Sequence, residues 1–187
     1  MSGGGEQNVV DLLIGQHTQI KEMFAELAGA QGERKRELFH ELVRLLAVHE
    51  SAEELVVHPA ARPTAGEEIV EARLREEHEA KEALSELYDL GVEHPEFDAK
   101  CAALAQDVLE HATQEELKEF SRLRAEVPPE RLVRMAGAVR AAEKIAPTRP
   151  HPAAGESAIV NMLVGPPVGV FDKVRDAVRD WHQANND

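Results

Sequence analysis

Four histidines, His17, His49, His78 and His111, recur along the chain at nearly even intervals. Two of them open the same motif, His49-x-x-x-Glu53-Glu54 and His111-x-x-x-Glu115-Glu116. The offset from His17 to His78, the two that precede them, matches the offset from His49 to His111 to within a single position. The chain therefore repeats one unit: a helix with one histidine, then a helix with a histidine and, a turn later, a glutamate. Residues at i and i+4 share a helix face. Imidazole and carboxylate on one face form a borderline-to-hard ligand set that suits iron, manganese or zinc and disfavours thiolate-loving ions.

The apolar periodicity says where those side chains point. Val10, Leu13, His17, Ile20, Phe24 and Leu27 follow steps of three and four, so His17 falls in the middle of one apolar helical face. Leu38, Leu42, Leu45 and His49 continue the pattern on a second helix, expected from about Glu33 to His58-Pro59. A third helix is expected from Glu67 to Leu90, closed by Gly91, with Val70, Leu74, Leu84, Leu87 and Tyr88 apolar and His78 on the flank of that stripe. The fourth is the clearest: Phe97, Cys101, Leu104, Val108, His111 and Glu115. Short connections between such helices imply antiparallel neighbours, an all-α, up-down-up-down four-helix bundle.

Taken singly, each polar residue on these faces has an ordinary explanation. A His–Glu pair at i, i+4 contributes a few tenths of a kcal/mol, and a lone histidine is commonly a hydrogen-bonded core residue. Their coincidence argues otherwise. A glutamate buried in an apolar seam costs several kcal/mol unless it is paired or binds a cation. Two metals, each held by two histidines and bridged by both glutamates, account for His17, His49, Glu53, His78, His111 and Glu115 without leftover ligands. His40, His58, His94, His151 and His182 are expected at the surface or behind the ligands. A ferritin-like di-iron site needs Glu-x-x-His on two helices, and within the bundle only Glu37-x-x-His40 has that spacing. No zincin motif and no phosphate-binding glycine loop is present.

The remainder bounds the function. With 21 basic and 35 acidic residues the net charge is −14, which disfavours nucleic acid and anionic membranes as partners. Cys101, the single cysteine, sits in an apolar helical pattern and reads as a small core residue. No secretory signal and no spanning apolar run is seen, so a cytoplasmic location is expected. Residues 1–7 read as a tail, 8–125 as the bundle and 126–187 as a helical extension. The extension's last helix carries Val170, Phe171, Val174, Val178 and Trp181 on one face, which must bury against the bundle or against a second copy in a homo-oligomer.

The order His17, His49-x-x-x-Glu53, His78, His111-x-x-x-Glu115 resembles the hemerythrin-like (HHE cation-binding) domain over about residues 8 to 125. The surrounding phrases agree: His17-Thr-Gln-Ile-Lys-Glu, Glu76-Glu77-His78-Glu79, and Val57-His58-Pro59 where the family often has Tyr-Pro. The segment around Ala146-Pro147-Thr148-Arg149-Pro150-His151-Pro152 is similar to actinobacterial members. The resemblance implies a hemerythrin-like four-helix bundle holding two Fe ions, oxo- or hydroxo-bridged, with those four histidines as terminal ligands and Glu53 and Glu115 as bridges. Iron over zinc or manganese rests on this resemblance.

Oxygen-carrying hemerythrins have His-x-x-x-His on the third helix, whereas this chain has His78-x-x-x-Glu82. Glu82 lies further from the apolar stripe than His78 and is expected in solvent, leaving a more open centre than a reversible oxygen carrier wants. The implied function is a di-iron protein reacting with dioxygen, hydrogen peroxide or nitric oxide, with catalase-like peroxide decomposition foremost. A non-catalytic module that binds or senses oxygen, nitric oxide or iron is the second reading. A metal-free acidic bundle acting through protein contacts is the third.

Overall fold

The computed structural model describes residues 7–145, 172–176, 179–180 and 183–184. All elements among them are helical: α1 (Val9–Gly29), α2 (Gly32–Ala52), α3 (His58–Ala65), α4 (Glu67–Leu90), α5 (Phe97–Glu115), α6 (Ser121–Glu126) and α7 (Pro129–Ile145). Two five-residue π-helical turns, Glu53–Val57 and Glu116–Phe120, join α2 to α3 and α5 to α6 without a break. Four long rods result: α1, α2 through α3, α4, and α5 through α6. Consecutive rods touch and are joined by short connections, so neighbours run antiparallel and the chain forms an all-α four-helix bundle.

The local chemistry of each end is ordinary. Asn8 caps α1, its side chain accepting the Asp11 amide at 3.0 Å. Gly66 and Gly91 end the second and third rods with φ of 99° and 81°, a region where a side chain would clash. The expectation that the second helix stops at His58-Pro59 is corrected. The rod continues to Ala65, because the wide turn from Glu53 lets the His58 amide bond to the Glu53 carbonyl, five positions back. Pro59, with no N–H to give, is tolerated where the hydrogen-bond ladder is already interrupted.

The seam residues read from the sequence are the core. Leu13, Ile20, Leu27, Leu38, Leu42, Leu45, Leu84, Leu87, Phe97 and Leu104 are all at most 2% exposed. α7 lies across α1 and α2 and contributes Leu132, Met135, Ala136 and Val139 to the same core. Of the C-terminal stripe, Val174 is fully buried in it, and Arg175 donates to Glu54 at 2.6 Å. Val170, Phe171, Val178 and Trp181 lie outside the described residues, as do 1–6 and the Pro-rich segment 146–152. Among the described residues no helix is long and apolar enough to cross a membrane.

Phe97 anchors one end of the bundle, edge-on to Phe39 at 5.1 Å with the Lys35 ammonium 5.2 Å above its ring. Truncating it empties a large core position about 20 Å along the helix from His111. Phe97→Ala should therefore cost about 3–5 kcal/mol in urea denaturation. The metal content of the folded protein should remain that of the parent.

Candidate metal centre

Near the π turns, the core changes from apolar to charged. His17, His49, Glu53, Glu77, Glu115, His58 and Glu119 are each at most 6% exposed, and the His111 side chain is 11% exposed. Each rod contributes: α1 gives His17, the second gives His49, Glu53 and His58, α4 gives Glu77, and the fourth gives His111, Glu115 and Glu119. His49 Nε2 lies 2.9 Å from Glu53 Oε1, and His17 Nε2 lies 3.4 Å from Glu115 Oε2 and 3.9 Å from Glu53 Oε1. One ligand atom each from His17, His49, Glu53 and Glu115 can be drawn within 4.8 Å of the others. The same holds for Glu53, Glu77 and His111, and for His58, Glu115 and Glu119.

Of the residues singled out from the sequence, the structure brings His17, His49, Glu53 and Glu115 together, and His111 faces the same interior. His78 does not join them, which corrects the expected placement. Its side chain is 73% exposed and lies 3.5 Å from Glu82, itself 68% exposed. The buried ladder of α4 runs through Val70, Arg73, Glu77, Leu84 and Leu87. Steps of seven from Val70 to Glu77 to Leu84 put Glu77 on the inner face and turn His78 about 100° away from it. That ladder was readable from the apolar residues; matching histidine to histidine across the repeat pointed one position too far.

His58 was also expected elsewhere and is instead 1% exposed, with Nε2 2.5 Å from Glu77 Oε1. An uninterrupted α-helix from His49 and Glu53 would turn residue 58 off the seam. The intervening π turn returns it. Nothing in the residue pattern announces that turn, so the position was hidden.

Behind the converging atoms lies a layer of acceptors. His17 Nδ1 donates to Glu116 Oε1 at 2.8 Å, His49 Nδ1 to Gln16 Oε1 at 2.9 Å, and His111 Nδ1 to Glu76 Oε2 at 2.9 Å. His58 Nδ1 donates to Glu119 Oε2 at 3.0 Å. Such bonds fix Nδ1 as the donor and turn Nε2 inward, where a cation can replace its proton, the usual support of a metal-binding histidine. The acceptors are themselves held: Arg73 donates to Glu76 at 2.8 Å, and Gln16 donates to Glu143 of α7 at 2.9 Å. Phe120 stacks on His17, ring centres 5.7 Å apart and planes 6° from parallel.

The electrostatics of the cluster lean in a consistent direction. Burial opposes protonation of His17, yet Glu115 and Glu53 outweigh it and hold the imidazole at about 10. Burial likewise opposes protonation of His111, while Glu76, Glu115 and Glu53 bring it to about 9. Burial and the Glu53 charge push Glu115 up to about 8. For Glu53, burial raises but His49 and His17 prevail, and the carboxyl stays well below its usual range. Positive charge is favoured here, and protons supply part of it.

A cation pair fits this donor set. His17 Nε2, His111 Nε2, both oxygens of Glu53, both of Glu115 and Glu77 Oε2 are buried without a hydrogen-bond partner. Orphaned polar atoms of this number in one place are rare in a folded core, and all are of ligand type.

A cavity of about 250 Å³ opens onto the cluster from between α4 and α5. His17, His49, Glu77 and His111 line it together with Ile20, Leu46, Ala80, Ala83, Leu104 and Val108. Glu76, Glu79, Asp107 and Glu110 add an acidic margin.

Known proteins bear on this arrangement. A crystal structure of a hemerythrin HHE cation binding domain-containing protein from Mycobacterium kansasii superposes with a TM-score of 0.71 at 18% identity, covering 89% of this chain and 98% of that one. The chain is 27% identical over 139 residues to an uncharacterized hemerythrin-like protein of Schizosaccharomyces pombe, covering 73% of this chain and 68% of that protein. It is 28% identical over 139 residues to a DNA nickase of Nostoc sp., covering 74% of this chain but only 40% of the nickase. The Hemerythrin HHE cation binding domain family matches residues 8–123. With that match over most of the chain, and with buried imidazoles and carboxylates at the centre of the bundle, the protein belongs to the hemerythrin HHE cation-binding family.

Proposed function

We propose that this chain binds two iron ions through His17, His49, Glu53, His111 and Glu115 and reacts with a small oxygen or nitrogen species, foremost hydrogen peroxide. The observation that carries the reading is the set of orphaned ligand atoms at the foot of an open cavity. Bound iron would supply reversible two-electron exchange with such a ligand. Ligand type alone also admits manganese or zinc, and iron is favoured by family.

The protein's own residues divide the remaining work. Glu53 and Glu115 stand centrally, each with both oxygens uncommitted, so each can span two cations. Glu116, Gln16 and Glu76 hold the imidazoles in the donating orientation. The apolar wall of Ile20, Leu46, Leu104 and Val108 admits a small neutral molecule and limits water. Glu50 lines the same cavity, and burial holds its carboxyl well above the ordinary range. It is placed to keep a proton beside an entering peroxide, with Lys81 Nζ 3.6 Å from Oε2. The acidic margin favours neutral over anionic ligands, and the charge of −14 favours no nucleic-acid partner, although one relative is named a nickase. A cytoplasmic location and association of copies through the C-terminal helix belong to the same reading.

Protein purified without added metal should carry two iron ions per chain by elemental analysis and show ligand-to-iron charge-transfer bands. Stopped-flow mixing with peroxide should show consumption faster than an equal concentration of free iron. Iron-loaded protein that binds but does not turn over peroxide would support the sensing module instead. Protein without metal would sink both.

Access gives a second test. Ala80→Leu places an isobutyl group in the cavity wall and should slow peroxide consumption about tenfold or more while iron content stays at the parent level.

The pH response follows from the imidazoles. His17 and His111 have folded values of about 10 and about 9, above the ordinary 6.5. A raised histidine stabilises the fold below its unfolded value, and that contribution disappears as pH climbs through the folded value. Glu115, raised from the ordinary 4.5 to about 8, acts in the same direction at lower pH, its contribution disappearing between those two values. Metal-free protein should therefore lose denaturation free energy between pH 6.5 and 10, whereas metal-loaded protein should change much less over that interval.

A further inference from the structure

We propose that His58, not His78, is the fourth imidazole ligand, and that Glu77 is a third carboxylate ligand, so that the two metal positions differ in chemistry. This rests on the binuclear reading above and assigns the part of the site that reading leaves incomplete.

The first argument is orientation. Each of the three inward histidines donates Nδ1 to a fixed acceptor and presents Nε2 to the interior. His58 does the same, with Glu119 as the acceptor at 3.0 Å and Nε2 against Glu77 at 2.5 Å. A carboxylate behind an imidazole whose other nitrogen faces further carboxylates is the arrangement that supports metal-bound histidine. His58 groups with Glu115, one of the two shared carboxylates, and with Glu119, one ligand-type atom of each lying within 4.8 Å of the others, and its 2.5 Å contact with Glu77 joins that group to the one formed by Glu53, Glu77 and His111. Glu77 reaches Glu53 and His111 in the same way, and its Oε2 has no hydrogen-bond partner.

The second argument comes from the repeat. The offset that carries His49 onto His111 carries His58 onto Phe120, and the offset that carries His17 onto His78 carries Gln16 onto Glu77. At the His17–His49 end, Phe120 and Gln16 cannot contribute a ligand of this kind. Phe120 is an apolar ring stacked on His17, and Gln16 spends its oxygen on His49 and its amide on Glu143. At the His111 end the same two places carry an imidazole and a carboxylate. The first position is then His17 and His49 with the shared Glu53 and Glu115. The second is His58, His111 and Glu77 with the same shared pair.

The extra carboxylate makes the second position harder and more negative. Carboxylate oxygen suits Mn(II), while imidazole suits Fe(II) and Zn(II) more strongly. Offered both Fe(II) and Mn(II) anaerobically, the protein should place most of its manganese at the second position.

Crystals of the full chain grown with Fe(II), and with an equal mixture of Fe(II) and Mn(II), test both statements. Anomalous data on either side of each absorption edge should show a peak at roughly 2.0–2.3 Å from His58 Nε2 and a Glu77 oxygen, with none near His78. Two peaks with His58 remote from both would overturn the ligand assignment while leaving the binuclear reading intact. Absence of a second peak in any position would instead overturn the binuclear reading. An equal share of manganese at the two positions would overturn the claimed difference between them. In solution, His58→Ala and Glu77→Gln should each lower tightly held iron from two ions per chain to about one, and His78→Ala should leave two. Retention of two ions by both former variants would count against the assignment, and the crystals decide it should either variant fail to fold.

Discussion

The constraint on which this structure depends is charge neutrality inside a dry bundle. Glu53, Glu77, Glu115 and Glu119 are buried to 2% exposure or less and form a connected series, Glu77 near Glu53, Glu53 near Glu115 and Glu115 near Glu119. Four carboxylates in such a place would each shift towards the protonated form or push the helices apart. Imidazoles alternate with them: His17 between Glu53 and Glu115, His58 between Glu77 and Glu119. The raised values of His17 and His58, about 10 and about 11, are the metal-free answer to the problem, reached against the burial that opposes them. Neutralisation by protons is partial, since seven ligand-type atoms of His17, His111, Glu53, Glu115 and Glu77 remain without a hydrogen bond. Divalent cations would finish what protons begin, and the donor set would then cease to be a cost.

Holding such a cluster requires rods that do not slide. The apolar ladders on both sides of the site do that, and α7 adds a clamp. Its Leu132, Met135 and Val139 join the core against α1 and α2, while Glu143 accepts from Gln16, whose oxygen receives His49 Nδ1. The helix beyond the family-matched segment thereby sets the orientation of the His49 ring through two consecutive hydrogen bonds. Burial and hydrogen bonding act on the same element.

Much of this was legible before any coordinates. The steps of three and four through Val10 to Leu27 and Phe97 to Glu115 are backbone arithmetic, and they locate the rods, the buried face and three of the inward histidines. Glu53 and Glu115 were legible because a charged residue on an apolar ladder is conspicuous. Glu77 was legible in principle, from its ladder through Val70 and Leu84, but the repeat drew attention to its neighbour. Glu119, four places beyond Glu115, was likewise within reach of the pattern, whereas His58 and the junctions through which the rods continue were not. A π turn shifts every later residue by one place around the helix, and residue type gives little warning of it. The acceptors Gln16, Glu76 and Glu116 were hidden for a different reason: surface-forming residue types carry no periodic signature of a partner on another helix.

The two π turns explain how a repeated sequence builds an unequal site. Both follow directly on the His-x-x-x-Glu motif, so both rods gain one residue at the same height. In the second rod the wide turn brings Phe120, the counterpart of His58, onto the His17 ring, beside the bonds of Glu116 to His17 and Glu119 to His58. In the first rod it carries His58 itself to the interior. One geometric device thus delivers an apolar lid from one side and a further imidazole from the other. Had the first rod stayed α-helical, His58 would have turned off the seam and Glu77 would have kept only His111 as an imidazole neighbour. The exposed position of His78 has its own cause: the ladder from Val70 through Glu77 to Leu84 fills the inner face of α4, and the residue after Glu77 turns about 100° away from it.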